Sequence, residues 1–485
     1  MGLGLAAISI ACAAIASGPL YALLAGLGIP LALPAAIAVA LGLAAFATHR
    51  AGTSIDGFVR NHRALAALWV VLTLAGGVEL VRVAHFMVDA KATSNSAPPS
   101  DEFYTTHNCL TAYYRAATLT DQPNLYDVDT YIGRGDEPTP LIGPFTTDPF
   151  EYAPPFIVLP RAALAVTSDF MTWRAIWFFV EVALLIAALL ALAHLVGGRE
   201  GGIVALLSPA VVVAIPTLLT AQIGNYQLAV YALAAIALVA RERGRSAVAG
   251  ALLAFLAVTK LFPGLLIVYL VGRRDWRAVW AFVITAVVLC GVALAMFGLA
   301  PYRAFLTYQL PRMADGSAFP WLNGFLPAIA VNHSVFGIVI KLHAIGVPGM
   351  SFHVAGIVAW VYTLVILLMA YHAGRRATTN RLHTAVVWLA LLQLAALRSP
   401  FTPDVYAVLG PLWLASLLAV HARTLGRVLL LHGWLALNAC ILFVGVGSDM
   451  GDHLRLVLAS AGQLVGFAIT LIAYFTPHRS PGRPQ

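Results

Sequence analysis

Residues 64–88 read ALAALWVVLTLAGGVELVRVAHFMV, and residues 89–108 read DAKATSNSAPPSDEFYTTHN. The first run is long enough to cross a bilayer as a helix, for which about 20 apolar residues suffice. The second opens a polar stretch of some 65 residues, Asp89 to about Pro154. That stretch holds ten Asp and Glu but only Lys91, Arg115 and Arg134 as cations, a net charge near −7. Loops kept in the cytoplasm carry an excess of Lys and Arg. This one carries the reverse and is expected outside.

The rest of the chain repeats the first run. Of 485 residues 60% are hydrophobic and 10% charged, with a mean hydropathy of +0.86. A soluble domain usually carries about 25% charged residues. The expected fold is therefore an all-α integral membrane protein, polytopic, with about 12 to 14 membrane segments. It is read as one transmembrane domain, 1–485, carrying an acidic outer loop at 89–154. Cys12, Cys109, Cys290 and Cys440 form no CxxC pair, so no disulfide framework or metal knuckle is indicated. The formal charge of +8 sits in short clusters between apolar runs, where it sets topology. No nucleic acid partner is expected.

Those clusters fix the register. Arg50, Arg60 and Arg63 form one; Arg241, Arg243 and Arg245 the next; then Arg273, Arg274 and Arg277, and Arg375, Arg376 and Arg381. Arg423 with Arg427, and a tail bearing Arg479 and Arg483, complete the set. All can be cytoplasmic if two segments are irregular. Ser246 to Gly272, interrupted by Lys260, Pro263 and Gly264, must enter and return, and Val335 to Ile345 is too short to cross. Broken apolar segments are where membrane proteins build sites. At the N-terminus, Pro19, Pro30 and Pro34 are expected to break residues 1–47 into two spans or a hairpin.

With this register several polar groups share the outer face. The loop supplies Asp89, Asp101, Glu102, His107, Asn108, Asp148 and Glu151, and the turn Thr220 to Asn225 adds Gln222 and Asn225. Asn332-His333-Ser334 heads the short segment, and the turn Arg398 to Asp404 adds a cation and a carboxylate. There is no Walker loop, dinucleotide fingerprint or HExxH motif. Carboxylates, a His and a few cations suit transfer from a phosphate-bearing lipid to a hydroxyl. A carboxylate would take the hydroxyl proton, and cations and amides would stabilise the departing phosphate. Such a site needs no metal and no cofactor.

Five motifs in order carry a resemblance. They are Asn108 to Ala117 with its Tyr113-Tyr114 pair, followed by Asn124-Leu-Tyr126-Asp127 and Phe150 to Phe156; Gln222-Ile-Gly-Asn225; Val258-Thr-Lys260-Leu-Phe-Pro263; Asn332-His-Ser334; and Arg398-Ser-Pro400 ahead of Asp404-Val-Tyr406. Together they resemble the family 87 glycosyltransferases, polyprenyl-phosphate-sugar-dependent enzymes of the GT-C fold. That family includes the phosphatidylinositol-mannoside mannosyltransferases of actinobacteria. The resemblance implies a GT-C-like bundle and an inverting transfer on the outer side of the plasma membrane. The donor would be a polyprenyl-phosphate sugar, with mannose ahead of arabinose, and the acceptor a cell-envelope glycan or glycolipid. It also implies a carboxylate base in the first outer loop: Asp101 first, then Asp89, with Glu102 third and His333 as a further candidate for proton transfer or acceptor contact. Many relatives place an Asp shortly before the Tyr-Tyr pair, where this chain has His107-Asn108-Cys109. Lys260 and Arg398 would neutralise the phosphate; Gln222, Asn225, Asn332 and Asp404 would line the substrate site.

Each role has a plainer competitor. Asp101 can cap a helix and Asp89 can mark a helix end. Lys260 can snorkel, and Asp404 can neutralise Arg398. Gln222 and Asn225 can be interhelical glue, and Tyr113 and Tyr114 can be packing. Glu181 is read as structural, paired with Arg174 or a neighbouring helix. A lipid transporter is the rival function, since it too has broken helices; a silent scaffold is the third. The large acidic loop favours an enzyme that must seal its site from water.

Overall fold

In the computed structural model the apolar runs are helices, and the one sheet among the described residues is a hairpin, Leu141–Ile142 against Phe145–Thr146. The structure describes residues 3–61, 63–99, 101–135, 137–376, 380–442 and 449–476. Side chains are described from residue 6 on, except at 47–62 and 440–450, so Arg50, Arg60, Cys440 and the tail with Arg479 and Arg483 lie outside the description.

Six helices are long and apolar enough to cross a membrane: Ala6–Gly26, Arg63–Val88, Phe170–Val196, Trp276–Phe297, Phe352–Arg375 and Gly451–Phe475. Gly198–Val212 and Ile215–Ile223 together are long and apolar enough for a seventh, bent by 61° at their junction, as in a broken span or a re-entrant loop. Several shorter apolar helices fill the spaces between, and the expected 12 to 14 segments are reached only by including them. Trp276–Phe297 buries only Ala278 and Ala293 and leaves Ile284, Val287 and Val288 open. A helix so apolar on every side has lipid as its solvent. The chain is a multi-pass membrane protein.

Residues 3–61 form the expected hairpin, Leu3–Gly26 and Ala32–Asn61, with Pro30 in the turn. Pro19, expected to break the run, lies inside the first helix. Beside it Gly18 leaves no room for a Cβ against the Leu80 backbone. Packing against a neighbouring helix lets a membrane helix tolerate proline. Starts of later helices are capped as their sequences suggest: Asp169 accepts from Thr172, Asp275 from Ala278, Ser334 from Gly337 and Asn380 from His383.

The segment 246–272 enters and returns. It is a helix, Ser246–Lys260, a turn at Phe262–Gly264 and a second helix, Leu265–Gly272. Its two ends meet at Asp275, whose Oδ2 takes a hydrogen bond from Ser246 Oγ at 3.1 Å and from Arg241 Nε at 3.2 Å. Lys260 is thereby left at the far tip.

The acidic loop is a folded unit. Helices Glu102–Thr106 and Leu110–Thr118 lead to a short turn at Asp129–Ile132, the hairpin, and the Pro154–Ile157 turn. Tyr113, Tyr126, Tyr131, Phe145, Phe150 and Phe156 form its buried interior. Arg174, fully buried, donates from Nη1 to the carbonyls of Phe86 and Met87 and lies 4.1 Å over the Phe145 ring. It therefore closes the C-terminal end of the Arg63–Val88 helix, where a cation is favoured. Glu181 is not its partner; that carboxylate faces Lys260.

Candidate functional site

Three separate parts of the chain converge on the tip of the re-entrant segment. Lys260 Nζ donates to Asn225 Oδ1 at 3.0 Å and lies 5.4 Å from the Tyr152 ring and 5.8 Å from the Tyr406 ring. Asn225 ends the Gln222-Ile-Gly-Asn225 turn because Gly224 takes the left-handed conformation there, φ +68°, stopping the Ile215–Ile223 helix. A Cβ at Gly224 would sit 2.7 Å from Leu110 Cγ, so the glycine also lets the acidic loop press onto the turn.

The loop brings its own groups to the same place. His107 Nδ1 lies 3.2 Å from Asp148 Oδ1, and its Nε2 lies 3.6 Å from Cys109 Sγ. The hairpin makes this possible: Thr146 bridges back to His107, and Asp148 follows two residues later. Phe103 stacks on the imidazole with centroids 4.4 Å apart and fixes its plane. Asn225 Nδ2 donates to the same sulfur at 3.4 Å, and the Tyr406 hydroxyl is 3.3 Å from it. Burial opposes a charged His107, but Asp148 and Cys109 outweigh it and hold the imidazole pKa well above its usual range. Glu151 is pushed up to about 8, by burial first and then by Asp148, with Lys260 pulling the other way. At neutral pH it is mostly a protonated hydrogen-bond donor.

The ligand atoms of His107, Cys109 and Asp148 all lie within 4.8 Å of one another, close enough to consider a cation. The imidazole, however, stands between the other two and offers one nitrogen to each. A chelate turns its ligand atoms toward one common point. The arrangement is a hydrogen-bonded series, Cys–His–Asp.

Of the residues singled out from the sequence, Asn225 and Lys260 stand at this convergence. Gln222 is beside it, with its amide fully used: Oε1 accepts from the Ala97 amide, and Nε2 donates to Ser96 Oγ and the Tyr104 carbonyl. It clasps the start of the loop. Asp101 caps the Glu102–Thr106 helix by accepting from the Phe103 amide, and its other oxygen is buried without a partner. Glu102 is exposed on that helix, and Asp89 is exposed and accepts from the Lys91 amide.

Asn332 holds a different turn. Its amide donates to the Pro400 carbonyl and its oxygen accepts from Thr402, anchoring the chain ahead of Asp404. Asp404 is buried, with one oxygen on the Val405 amide, and contributes to raising the buried Tyr104 hydroxyl after the larger effect of burial itself. His333 is buried and lines a small cavity with Gln393 and Gln463. Arg398 does not pair with Asp404; it donates to Thr363 Oγ1 and lies 5.0 Å over the Trp360 ring, beside an open groove of about 470 Å³ that also touches Asp315 and His353.

Cys109, Tyr152 and Tyr406 were part of the quoted motifs, but no sequence reading gave them a role. The signal was their position, since Cys109 and Tyr152 belong to the first motif of the ordered set and Tyr406 to the last. Residues 150–400 match the family model of glycosyltransferase family 87. No curated protein and no solved structure matches the chain.

Proposed function

This chain belongs to glycosyltransferase family 87, and from that premise we propose that it is an inverting enzyme using a polyprenyl-phosphate sugar. The sugar is mannose, and the acceptor is a hydroxyl of a cell-envelope glycan or glycolipid on the outer face of the plasma membrane. One observation carries the reading: Lys260, raised to the tip of a re-entrant segment, meets Asn225 beneath the acidic loop. A cation placed deep in an apolar chain is costly unless it has work to do. A single ammonium and an amide suit a donor with one phosphate, the group that leaves with negative charge in the transition state.

In this mechanism the hydroxyl attacks the anomeric carbon from the face opposite the phosphate. The loop supplies the proton acceptor from among the groups facing Lys260, while protonated Glu151 donates a hydrogen bond. Apolar surface along the lipid-facing helices accommodates the polyprenyl tail. Sugar and acceptor rest on family likeness, and a fold of this kind does not itself select them.

The test uses purified protein in detergent, short-chain polyprenyl-phosphate mannose and a panel of membrane glycolipid acceptors, with release of polyprenyl phosphate as readout. Lys260→Met is expected to lower turnover by about 10²-fold or more, the usual loss when a transition-state charge partner is removed. Asp101→Asn should keep turnover, because Asn caps a helix as well as Asp does. Collapse in Asp101→Asn with donor still bound would return the base to Asp101. Lipid binding without turnover in the wild type would restore the transporter.

A further inference from the structure

Within that transferase reading, we propose that Cys109 is the catalytic base, a thiolate that takes the proton of the acceptor hydroxyl. The argument is one of donors and acceptors. Asn225 has committed its oxygen to Lys260 Nζ and to the Gln227 amide, so the end facing the sulfur is its NH₂. His107 gives one nitrogen to Asp148 and turns the other to the sulfur. The Tyr406 hydroxyl oxygen lies 3.3 Å from the same atom and is able to donate to it. Three groups able to donate converge on one buried sulfur, and a thiol, with one proton of its own, is a poor acceptor for all of them. A thiolate satisfies every one.

The charges around it agree in sign. Lys260, across the Asn225 amide, faces Cys109 together with Glu151 and Glu181. Asp148, 3.2 Å from His107 Nδ1, favours the protonated imidazole. Opposing groups are few: Asp148 is offset by His107, Glu151 holds its proton near neutrality, and Glu181, on the Phe170–Val196 helix, faces Lys260. Tyr104, Tyr113 and Tyr152 of the loop also face the sulfur, their hydroxyls held neutral chiefly by burial. His107 and Asp148 are then positioning residues, acting only through Cys109.

The step balances. The acceptor oxygen forms its bond to the anomeric carbon as the bond to the phosphate oxygen breaks, and that electron pair leaves on the phosphate. The hydroxyl proton passes to Cys109 Sγ, giving a thiol, and later to the departing phosphate or water. Asn225 spans the two roles: its oxygen holds Lys260 on the phosphate side and its nitrogen holds the sulfur on the other. In-line displacement needs base and leaving group so separated.

The experiment measures iodoacetamide modification of Cys109 in the full-length protein from about pH 5 to about pH 10, read by peptide mass spectrometry. Half-maximal rate is expected at least about one pH unit below that of the same cysteine in the denatured chain, whose free thiol titrates near ~8.5. His107→Gln should move it back up. In parallel, Cys109→Ser should lose about 10²-fold or more in turnover, and Cys109→Asp, which restores an anionic base, should recover a substantial part. Identical titration in folded and denatured protein would overturn the thiolate. Full turnover in Cys109→Ser would overturn the base and leave the donor reading standing. An early-titrating Cys109 with no turnover from polyprenyl-phosphate mannose would count against the donor instead. Zinc that both shields Cys109 and raises turnover would replace the proposal with a metal site.

Discussion

Glu151 shows how a single side chain ties the site to pH. Burial and Asp148 raise it to about 8 in the folded protein, against about 4.3 for a free glutamate. Between those values folding takes up a proton, so stability falls as pH rises through the window and the Glu151 penalty reaches its full size above the upper end. Glu151→Gln should abolish that slope: melting temperatures of variant and wild type converge near pH 5 and separate near pH 9, the variant higher by several degrees. A parallel pair of curves would show that Glu151 ionises freely. Lys260 and Asn225 could be picked out from sequence alone because polar groups inside apolar runs announce themselves. Glu151, His107 and Cys109 sat among many polar loop residues, where composition separates nothing. Gln222 was ambiguous for a physical reason, since one amide serves a substrate or a neighbouring backbone equally well. Only three-dimensional partners show that it is spent on Ser96, Ala97 and Tyr104.

At the level of elements, the re-entrant segment was legible. Arginine clusters at both its ends and a Lys-to-Gly interruption left no other path, and the meeting of Arg241, Ser246 and Asp275 realises it. The hairpin that delivers Asp148 was not, because its value lies in the Thr146 to His107 bridge, a pairing across 39 residues that no local pattern encodes. Pro19 misled because proline breaks helices in water, whereas here helix neighbours compensate. The turn at Gly224 gives the sharpest element-scale test. Gly224→Ala adds a Cβ 2.7 Å from Leu110 Cγ at φ +68°. It should cost about 1–3 kcal/mol, seen as a lower melting temperature in detergent. Turnover should fall with it, because Leu110 follows Cys109 directly. Wild-type stability and turnover in this variant would mean that loop and turn are not in register.

For the whole molecule the charge pattern predicts the sidedness. Gln122 lies exposed on the acidic loop, and Arg243 lies exposed at the end of the Gln227–Glu242 helix. With wild type as background, Gln122→Cys should react with a membrane-impermeant maleimide on intact cells, and Arg243→Cys only after permeabilisation. The opposite pattern would invert the topology and move the chemistry to the cytoplasm. Bundle and loop followed from hydropathy and charge; how far each helix penetrates did not, since length in sequence does not reveal where a segment turns back. The Ser246–Lys260 helix has 15 residues, about 22 Å at 1.5 Å per residue, whereas the hydrocarbon layer is about 30 Å thick. Counted from the arginine side, Lys260 stops some 8 Å short of the far surface. Non-helical backbone at such a depth is tolerated only inside protein or beside a water-filled cavity, and here the Asn225 turn receives the charge. In the proposed reaction the donor phosphate thus sinks below the level of the neighbouring lipid headgroups before its sugar leaves.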